Sequence, residues 1–61
     1  PDRLLFKGNE AVVIDYKKEI ESDSHHAQVH RYMRAIQAMG FEKVSGYLIY
    51  VEPVLVKEVE R

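Results

Sequence analysis

Two kinds of hydrophobic pattern divide this chain of 61 residues. The first part carries two short apolar runs, over residues 3–7 and 11–16, on either side of the turn dipeptide Gly8-Asn9. Because β-branched residues dominate the second run, the pair predicts a β-hairpin. The stretch Ala11-Val12-Val13-Ile14 is continuous rather than alternating, so we expect this strand to be central and buried on both faces.

Helical spacing replaces strand spacing in the middle of the chain. Apolar residues recur every three or four positions, which predicts a helix with one apolar stripe facing the core. The stripe consists of Val29, Met33 and Ile36, extended by Ala35 and Met39.

The ends of this helix carry their own signals. A charged connector over residues 17–24 precedes it, and Asp23 or Ser24 is a suitable N-terminal cap. Gly40 predicts a left-handed stop after about Met39, and Phe41 is placed to fold back against the last turn. The helix is therefore expected to end within a residue of Met39.

Two further β-rich runs complete the chain, over residues 43–51 and 54–59, with Glu52-Pro53 as a break. The order strand, strand, helix, strand, strand predicts an α/β fold with a mixed sheet, a parallel β-α-β crossover and the last strand at an edge. One helix can cover only one sheet face. We therefore expect the second cover to come from upstream in a longer protein or from a second copy, and we expect the chain to self-associate.

Composition narrows the class of protein. The chain has no cysteine, which fits a reducing, cytoplasmic compartment, and no apolar run long enough for a membrane span. Its net charge of -1 gives this segment no strong electrostatic footprint for nucleic acid. Because Pro1-Asp2 leads directly into a strand and so small a core is hard to stabilise alone, residues 1–61 are interpreted as one partial domain cut from a larger protein.

The candidate chemistry lies where the second strand ends. Asp15-Tyr16-Lys17 directly follows the apolar run, and Asp2 stands at the start of the hairpin. Folding gains nothing from charges at these positions, whereas Mg²⁺ prefers oxygen ligands and often takes one or two carboxylates. Lys17 would stand beside the metal, able to orient a water or to offset charge on phosphate.

These residues together match a known pattern: an Asp entering a hairpin, a D-x-K on the next strand and a Q-x-x-x-Y on the next helix. Asp2, Asp15, Lys17, Gln28 and Tyr32 fill those positions. The chain resembles the PD-(D/E)xK nuclease superfamily, and more closely the C-terminal nuclease domain of RecB and AddA type helicase-nucleases. The resemblance implies a fragment of a restriction-endonuclease-like core.

The resemblance also implies an activity. Asp2, Asp15 and the main-chain carbonyl of Tyr16 would hold Mg²⁺, with Mn²⁺ as a substitute, and Lys17 would activate the attacking water. Gln28 and Tyr32 would support the site or contact DNA. The expected partners are DNA, the ATP-dependent helicase part of the parent chain and a partner subunit, in the processing of double-strand ends for recombination. No membrane partner is expected.

The chain departs from the family in several places. The metal-binding histidine of an upstream helix has no counterpart, so the fragment itself is expected to be inactive. Lys18-Glu19 stands where a small hydroxyl residue and glycine are common, which leaves the substrate open. His26 and His30 lie four residues apart on the predicted helix, so they could chelate zinc or nickel, or they could simply be solvent-exposed residues. The whole chain could also be a non-catalytic interaction or assembly module.

Overall fold

A four-stranded mixed sheet carries one helix in the computed structural model, which describes residues 2–19, 23–52 and 54–60. The elements are β1 (Arg3–Lys7), β2 (Glu10–Glu19), α1 (Asp23–Ala38), β3 (Lys43–Glu52) and β4 (Val54–Val59). The sheet order is β1-β2-β3-β4, with β2 and β3 parallel and both outer pairs antiparallel. The predicted α/β order, the crossover, the interior place of β2 and the edge place of β4 are therefore confirmed.

Strand β2 is longer than its apolar run. The sequence pattern ended the strand at Tyr16 and assigned residues 17–24 to a connector, but β2 continues to Glu19. The reason is backbone pairing: β3 is ten residues long, and its parallel ladder with β2 extends to the pair Glu19 and Glu52. Lys17 consequently lies within a paired strand, which fixes its backbone in relation to Asp15.

The core lies between α1 and one sheet face. Val29, Met33 and Ile36 of the predicted stripe are all buried, and they pack against alternate residues of the two central strands. Those strand residues are Ala11, Val13, Val44, Leu48 and Tyr50. Ala35 and Met39 were wrongly assigned to the stripe, since both are exposed and Met39 keeps 73% of its surface accessible. Ala35 lies on the exposed side of α1, and Met39 lies beyond the end of the helix at Ala38.

The helix approaches the sheet most closely at Gly46, in the middle of β3. A β-carbon built there would meet the sulfur of Met33 and would lie 2.9 Å from a methyl group of Val29. The missing side chain is therefore what lets α1 pack directly on the strand.

Gly46→Ala should destabilise the protein by about 1–3 kcal/mol, because an extra methyl group must displace two buried side chains. Thermal unfolding followed by circular dichroism measures this as a lower midpoint. The control is Ala35→Ser, a change at an exposed position of α1 that leaves the helix packing intact. Gly8→Ala is not suitable, because Gly8 has a φ of 60°. An unchanged midpoint for Gly46→Ala would contradict the close packing.

Helix α1 ends as the sequence predicts. It stops at Ala38, and Gly40 follows with a φ of 110°, a conformation that glycine adopts without strain. The Gly40 N–H donates to the carbonyl of Gln37 at 3.0 Å. Phe41 packs against the core, and its ring lies 5.1 Å from that of Phe6. The helix begins at Asp23, so the two residues predicted as its N-terminal cap, Asp23 and Ser24, both lie in its first turn.

The second sheet face has no cover among residues 2–19, 23–52 and 54–60. In β2 the buried residues Ala11, Val13 and Asp15 alternate with the half-buried Val12 and Ile14, so the expectation of burial on both faces was wrong. One helix buries only the side of the sheet on which it lies.

The predicted break at Pro53 and the entry at Pro1 lie outside the described residues. The described part of the chain contains no helix with the length and apolar character of a membrane span.

Candidate functional site

Asp2 and Asp15 lie side by side, with Asp2 directly before β1 and Asp15 just past the middle of β2. The ladder pairs Arg3 with Ile14, so the next position on each strand brings the two aspartates opposite each other on one face. The Asp2 N–H donates to Oδ1 of Asp15 at 3.1 Å, and the Tyr16 N–H donates to Oδ2 of Asp2 at 2.8 Å. These two bonds tie the acids together, and among the described residues no backbone N–H donates to Asp2 Oδ1 or Asp15 Oδ2.

The Tyr16 main chain points toward the same edge. In an extended strand, the N–H and C=O of one residue lie on the same side. Because the Tyr16 N–H donates to Asp2, its carbonyl also lies on the Asp2 side of β2, beyond the last residue pair that β1 provides. Two carboxyl groups and one carbonyl oxygen thus share this corner of the sheet.

Lys17 completes the charged group. Because side chains alternate along a strand, those of residues 15 and 17 lie on the same face of β2, the face that α1 covers. The Lys17 Nζ lies 3.8 Å from Oδ2 of Asp15 and donates a long hydrogen bond of 3.4 Å to Oε1 of Gln28 on α1. Gln28 of α1 therefore holds the ammonium group of Lys17 beside the carboxylate of Asp15.

Burial differs sharply across this group. Only 4% of Asp15 is accessible, and it is the buried charged residue of the described core. Asp2 is exposed, and Lys17 is intermediate, with 27% of its side chain accessible. A solute would therefore approach from the Asp2 side, with Asp15 at the bottom of the site.

The hydrogen bond from the Tyr16 N–H has the largest effect and lowers the pKa of Asp2 below its ordinary value of 3.8. Burial raises this pKa by a smaller amount, while a side-chain hydrogen bond with Asp15 and the positive charge of Lys17 each lower it further. A carboxyl whose pKa is lower in the folded state stabilises the fold above its unfolded pKa. This contribution is lost as the pH falls below 3.8 and through the folded value.

We therefore expect an NMR titration of the Asp2 carboxyl carbon to give a pKa below 3.8. The variant Asp2→Asn should lose less stability than the original protein when the pH is lowered through that range. A titration of Asp2 at or above 3.8 would show that the bond from Tyr16 does not form in solution.

The donor set suits a hard divalent cation. Mg²⁺ is bound in proteins by one or two carboxylates with waters and substrate phosphate, all as oxygen ligands. Asp2 and Asp15 lie on one face, and each retains an oxygen that accepts no backbone N–H from residues 2–19, 23–52 or 54–60. No group of three or more His, Cys, Asp and Glu side chains converges in the part of the chain that the structure describes. The protein ligands for such an ion would be the two aspartates and the Tyr16 carbonyl.

Tyr32 stands apart from the other predicted site residues. It lies one helical turn beyond Gln28 and is half-buried against the hydrophobic core. Asp2, Asp15, Lys17 and Gln28 are joined by hydrogen bonds or an ion pair, whereas the described contacts of Tyr32 are with the core. Its geometry is that of a packing residue at the edge of the site.

His25 lies in the first turn of α1, at the site end of the sheet. Its ring centroid is 6.2 Å from that of Tyr50, the residue paired with Lys17 in the β2 and β3 ladder. Its Nδ1 is buried and has no hydrogen-bond partner among the described residues. The only signal in the sequence was its place three residues before Gln28, on the same helix face.

His26 and His30 line a separate groove. It has a volume of about 380 Å³ and lies between α1 and the end of β4, with Ala27, Glu58, Val59 and Glu60 as its other lining residues. Both histidines are half-buried rather than fully exposed. Since no three potential ligands converge among the described residues, the zinc alternative gains no support here.

Comparison of the chain with protein-family models, with curated proteins and with solved structures gives no match.

Proposed function

We propose that this chain carries the active centre of a metal-dependent DNA nuclease of the PD-(D/E)xK type. The observation that supports this most is the meeting of Asp2 and Asp15 on one sheet face with Lys17 beside them. A buried carboxylate next to another carboxylate is costly for folding, because like charges repel and burial removes solvation. Groups of this kind are concentrated at functional sites.

The four linked residues have separable roles in this proposal. Asp2 and Asp15 bind the divalent ion, with the Tyr16 carbonyl as a third protein ligand. Lys17 orients the attacking water and offsets negative charge that develops on the phosphate. Gln28 positions Lys17 through the hydrogen bond from Nζ. When bound, a divalent ion polarises the phosphoryl oxygen and lowers the pKa of a coordinated water.

The substrate and context are proposed from the resemblance. The phosphodiester of DNA fits a site with two carboxylates and one ammonium group, since Asp2 and Asp15 would hold a cation that attracts the phosphate and Lys17 would offset its negative charge. The net charge of -1 provides little attraction for the DNA backbone, so most of the binding energy would come from other parts of a larger protein. We propose an ATP-dependent helicase part and a partner subunit in that role, acting on double-strand ends in the cytoplasm.

The test is a cleavage assay with linear DNA and the full-length protein that contains this sequence. Product should form with Mg²⁺ or Mn²⁺ and disappear on addition of EDTA. Equal cleavage in the presence and absence of EDTA would contradict the proposal. The variants that assign the activity to this site are considered in the Discussion.

A further inference from the structure

The groove beside His26 and His30 follows the outer edge of β4. One wall is formed by three consecutive residues, Glu58, Val59 and Glu60, and the other wall belongs to α1. Side chains of consecutive strand residues point to opposite faces of a sheet. A groove that contacts all three residues therefore runs along the edge of the strand rather than over one of its faces.

Strand β4 presents backbone groups along this edge. It is the last strand in the sheet order, and β3 is its neighbour on the other side among the strands that the structure describes. In an antiparallel pair, alternate residues exchange hydrogen bonds with the partner strand, and the residues between them do not. The groove is therefore bordered by N–H and C=O groups of the kind with which an added strand pairs.

The groove has room for a short extended segment. Its volume of about 380 Å³ falls within the range of about 300–1,000 Å³ that is typical of binding pockets. A strand rises about 3.3 Å per residue, so three residues of an added strand would span about 10 Å beside residues 58–60. The half-buried rings of His26 and His30 offer an apolar body and a polar edge to a side chain bound there.

Two carboxylates determine which segment fits. Alternation places Glu58 and Glu60 on one side of the sheet, and both are exposed, with no ion pair or hydrogen bond to either side chain in the described part of the chain. Val59 lies between them, points to the α1 side and is only 3% accessible. Opposite charges at directly paired positions of two strands are favourable, and like charges are unfavourable. The complement of this edge is therefore a basic, an apolar and a basic residue in succession.

The chain itself does not contain that complement. Nowhere in its 61 residues are two Lys or Arg residues separated by a single residue. A second copy that paired antiparallel with this edge about Val59 would bring Glu58 of one copy against Glu60 of the other, which is a contact between like charges. The segment that fits the groove therefore lies outside this sequence.

We infer that the groove binds an extended segment of a partner protein, which adds a strand to the sheet next to β4. The two basic side chains of this segment face Glu58 and Glu60, and the apolar side chain between them lies against Val59 and the imidazole rings of α1. The groove lies on the β4 side of α1, whereas Gln28 extends toward Lys17 of β2. The interaction surface is therefore separate from the paired aspartates.

NMR titration of the isotope-labelled chain with a capped peptide tests the inference. The peptide has Lys-Val-Lys at its centre and threonine and serine on either side. We expect shifts centred on His26, His30 and residues 58–60, and slower hydrogen exchange of alternate backbone N–H groups of β4. A peptide of the same length with Glu-Val-Glu should not bind. No shift at about 1 mM Lys-Val-Lys peptide, or shifts centred on Asp2 and Asp15, would overturn the inference.

Charge reversal tests the proposed specificity. Glu58→Lys together with Glu60→Lys should weaken binding of the Lys-Val-Lys peptide at least about tenfold and allow the Glu-Val-Glu peptide to bind instead. Glu52→Lys, at the exposed end of β3, is the control and should leave binding of the first peptide unchanged. Far-UV circular dichroism verifies that each variant is folded. Equal affinity of the Lys-Val-Lys peptide for all variants would exclude the two acids from recognition.

Methylated peptides distinguish strand addition from a purely electrostatic contact. Methylation of one alternating set of peptide N–H groups should abolish binding, because those groups bond to β4, and methylation of the other set should preserve it. Equal affinities of the two methylated peptides, whether retained or lost, would overturn the added strand. These outcomes are separate from nuclease activity, because the experiment contains neither DNA nor a divalent ion.

Discussion

Asp15→Ala should abolish Mg²⁺-dependent DNA cleavage by the full-length protein, with a loss of about 10³-fold or more. Asp15 is the buried acid of the site, and it is linked to Asp2 by a hydrogen bond of 3.1 Å. Its removal deletes one of two carboxylates for the cation, and the charge stabilisation that such an ion gives is worth several kcal/mol. Initial rates of product formation at saturating Mg²⁺ measure the effect.

Two controls separate this loss from misfolding. Asp15→Asn keeps the side-chain volume and can still accept a hydrogen bond from the N–H of Asp2. Its fold should therefore persist, while its cleavage activity falls as far as that of Asp15→Ala. Glu60→Ala removes an exposed carboxylate near the end of β4 and should retain full activity. In the proposed helicase-nuclease, ATP hydrolysis should be unaffected by the change at Asp15. Cleavage by Asp15→Ala at the original rate would exclude this site from catalysis.

Lys17→Ala should reduce turnover by about 10²–10⁴-fold while leaving metal binding in place, since positioned proton-transfer groups contribute rate factors of this size. Lys17 lies 3.8 Å from Asp15 Oδ2 and is held by Gln28. It contributes no ligand atom, so its removal affects the reacting water and phosphate more than the cation. Single-turnover kinetics together with calorimetric titration of Mn²⁺ distinguish the two effects.

The neighbouring lysine provides a matched control. Lys18 is exposed and alternates onto the opposite face of β2, so Lys18→Ala should cleave DNA at nearly the original rate. Gln28→Ala should give an intermediate loss, because Lys17 keeps its ion pair with Asp15 but loses the contact from the helix. Full activity of Lys17→Ala would remove its proposed catalytic role.

The sequence predicted the fold well wherever local chemistry decides it. The turn at Gly8, the stop at Gly40 and the stripe of Val29, Met33 and Ile36 each have a local physical cause, and all are found in the structure. The errors arose where tertiary context decides. The length of β2 depends on pairing with β3, and the exposure of Ala35 depends on where α1 lies on the sheet.

The predictions for the site divide in the same way, between residues that local sequence identifies and contacts that depend on tertiary structure. The places of Asp2 at the start of the hairpin and of Asp15 and Lys17 directly after the apolar run led to the prediction that they share one site. The contact between Lys17 and Gln28 required the orientation of α1, which periodicity does not determine, and only the resemblance pointed to Gln28. His25 was overlooked because a lone histidine in a first helical turn has no distinctive pattern. Its unpartnered Nδ1 becomes visible only in three dimensions.

Binding of a paramagnetic ion tests the central claim most directly. We expect low concentrations of Mn²⁺ to broaden the backbone NMR signals of Asp2, Asp15, Tyr16 and Lys17 first, and Mg²⁺ to restore them by competition. Asp2→Asn combined with Asp15→Asn should abolish the selective broadening. Broadening centred on His26, His30 and Glu60, or none at all at millimolar Mn²⁺, would contradict a cation site between the two aspartates.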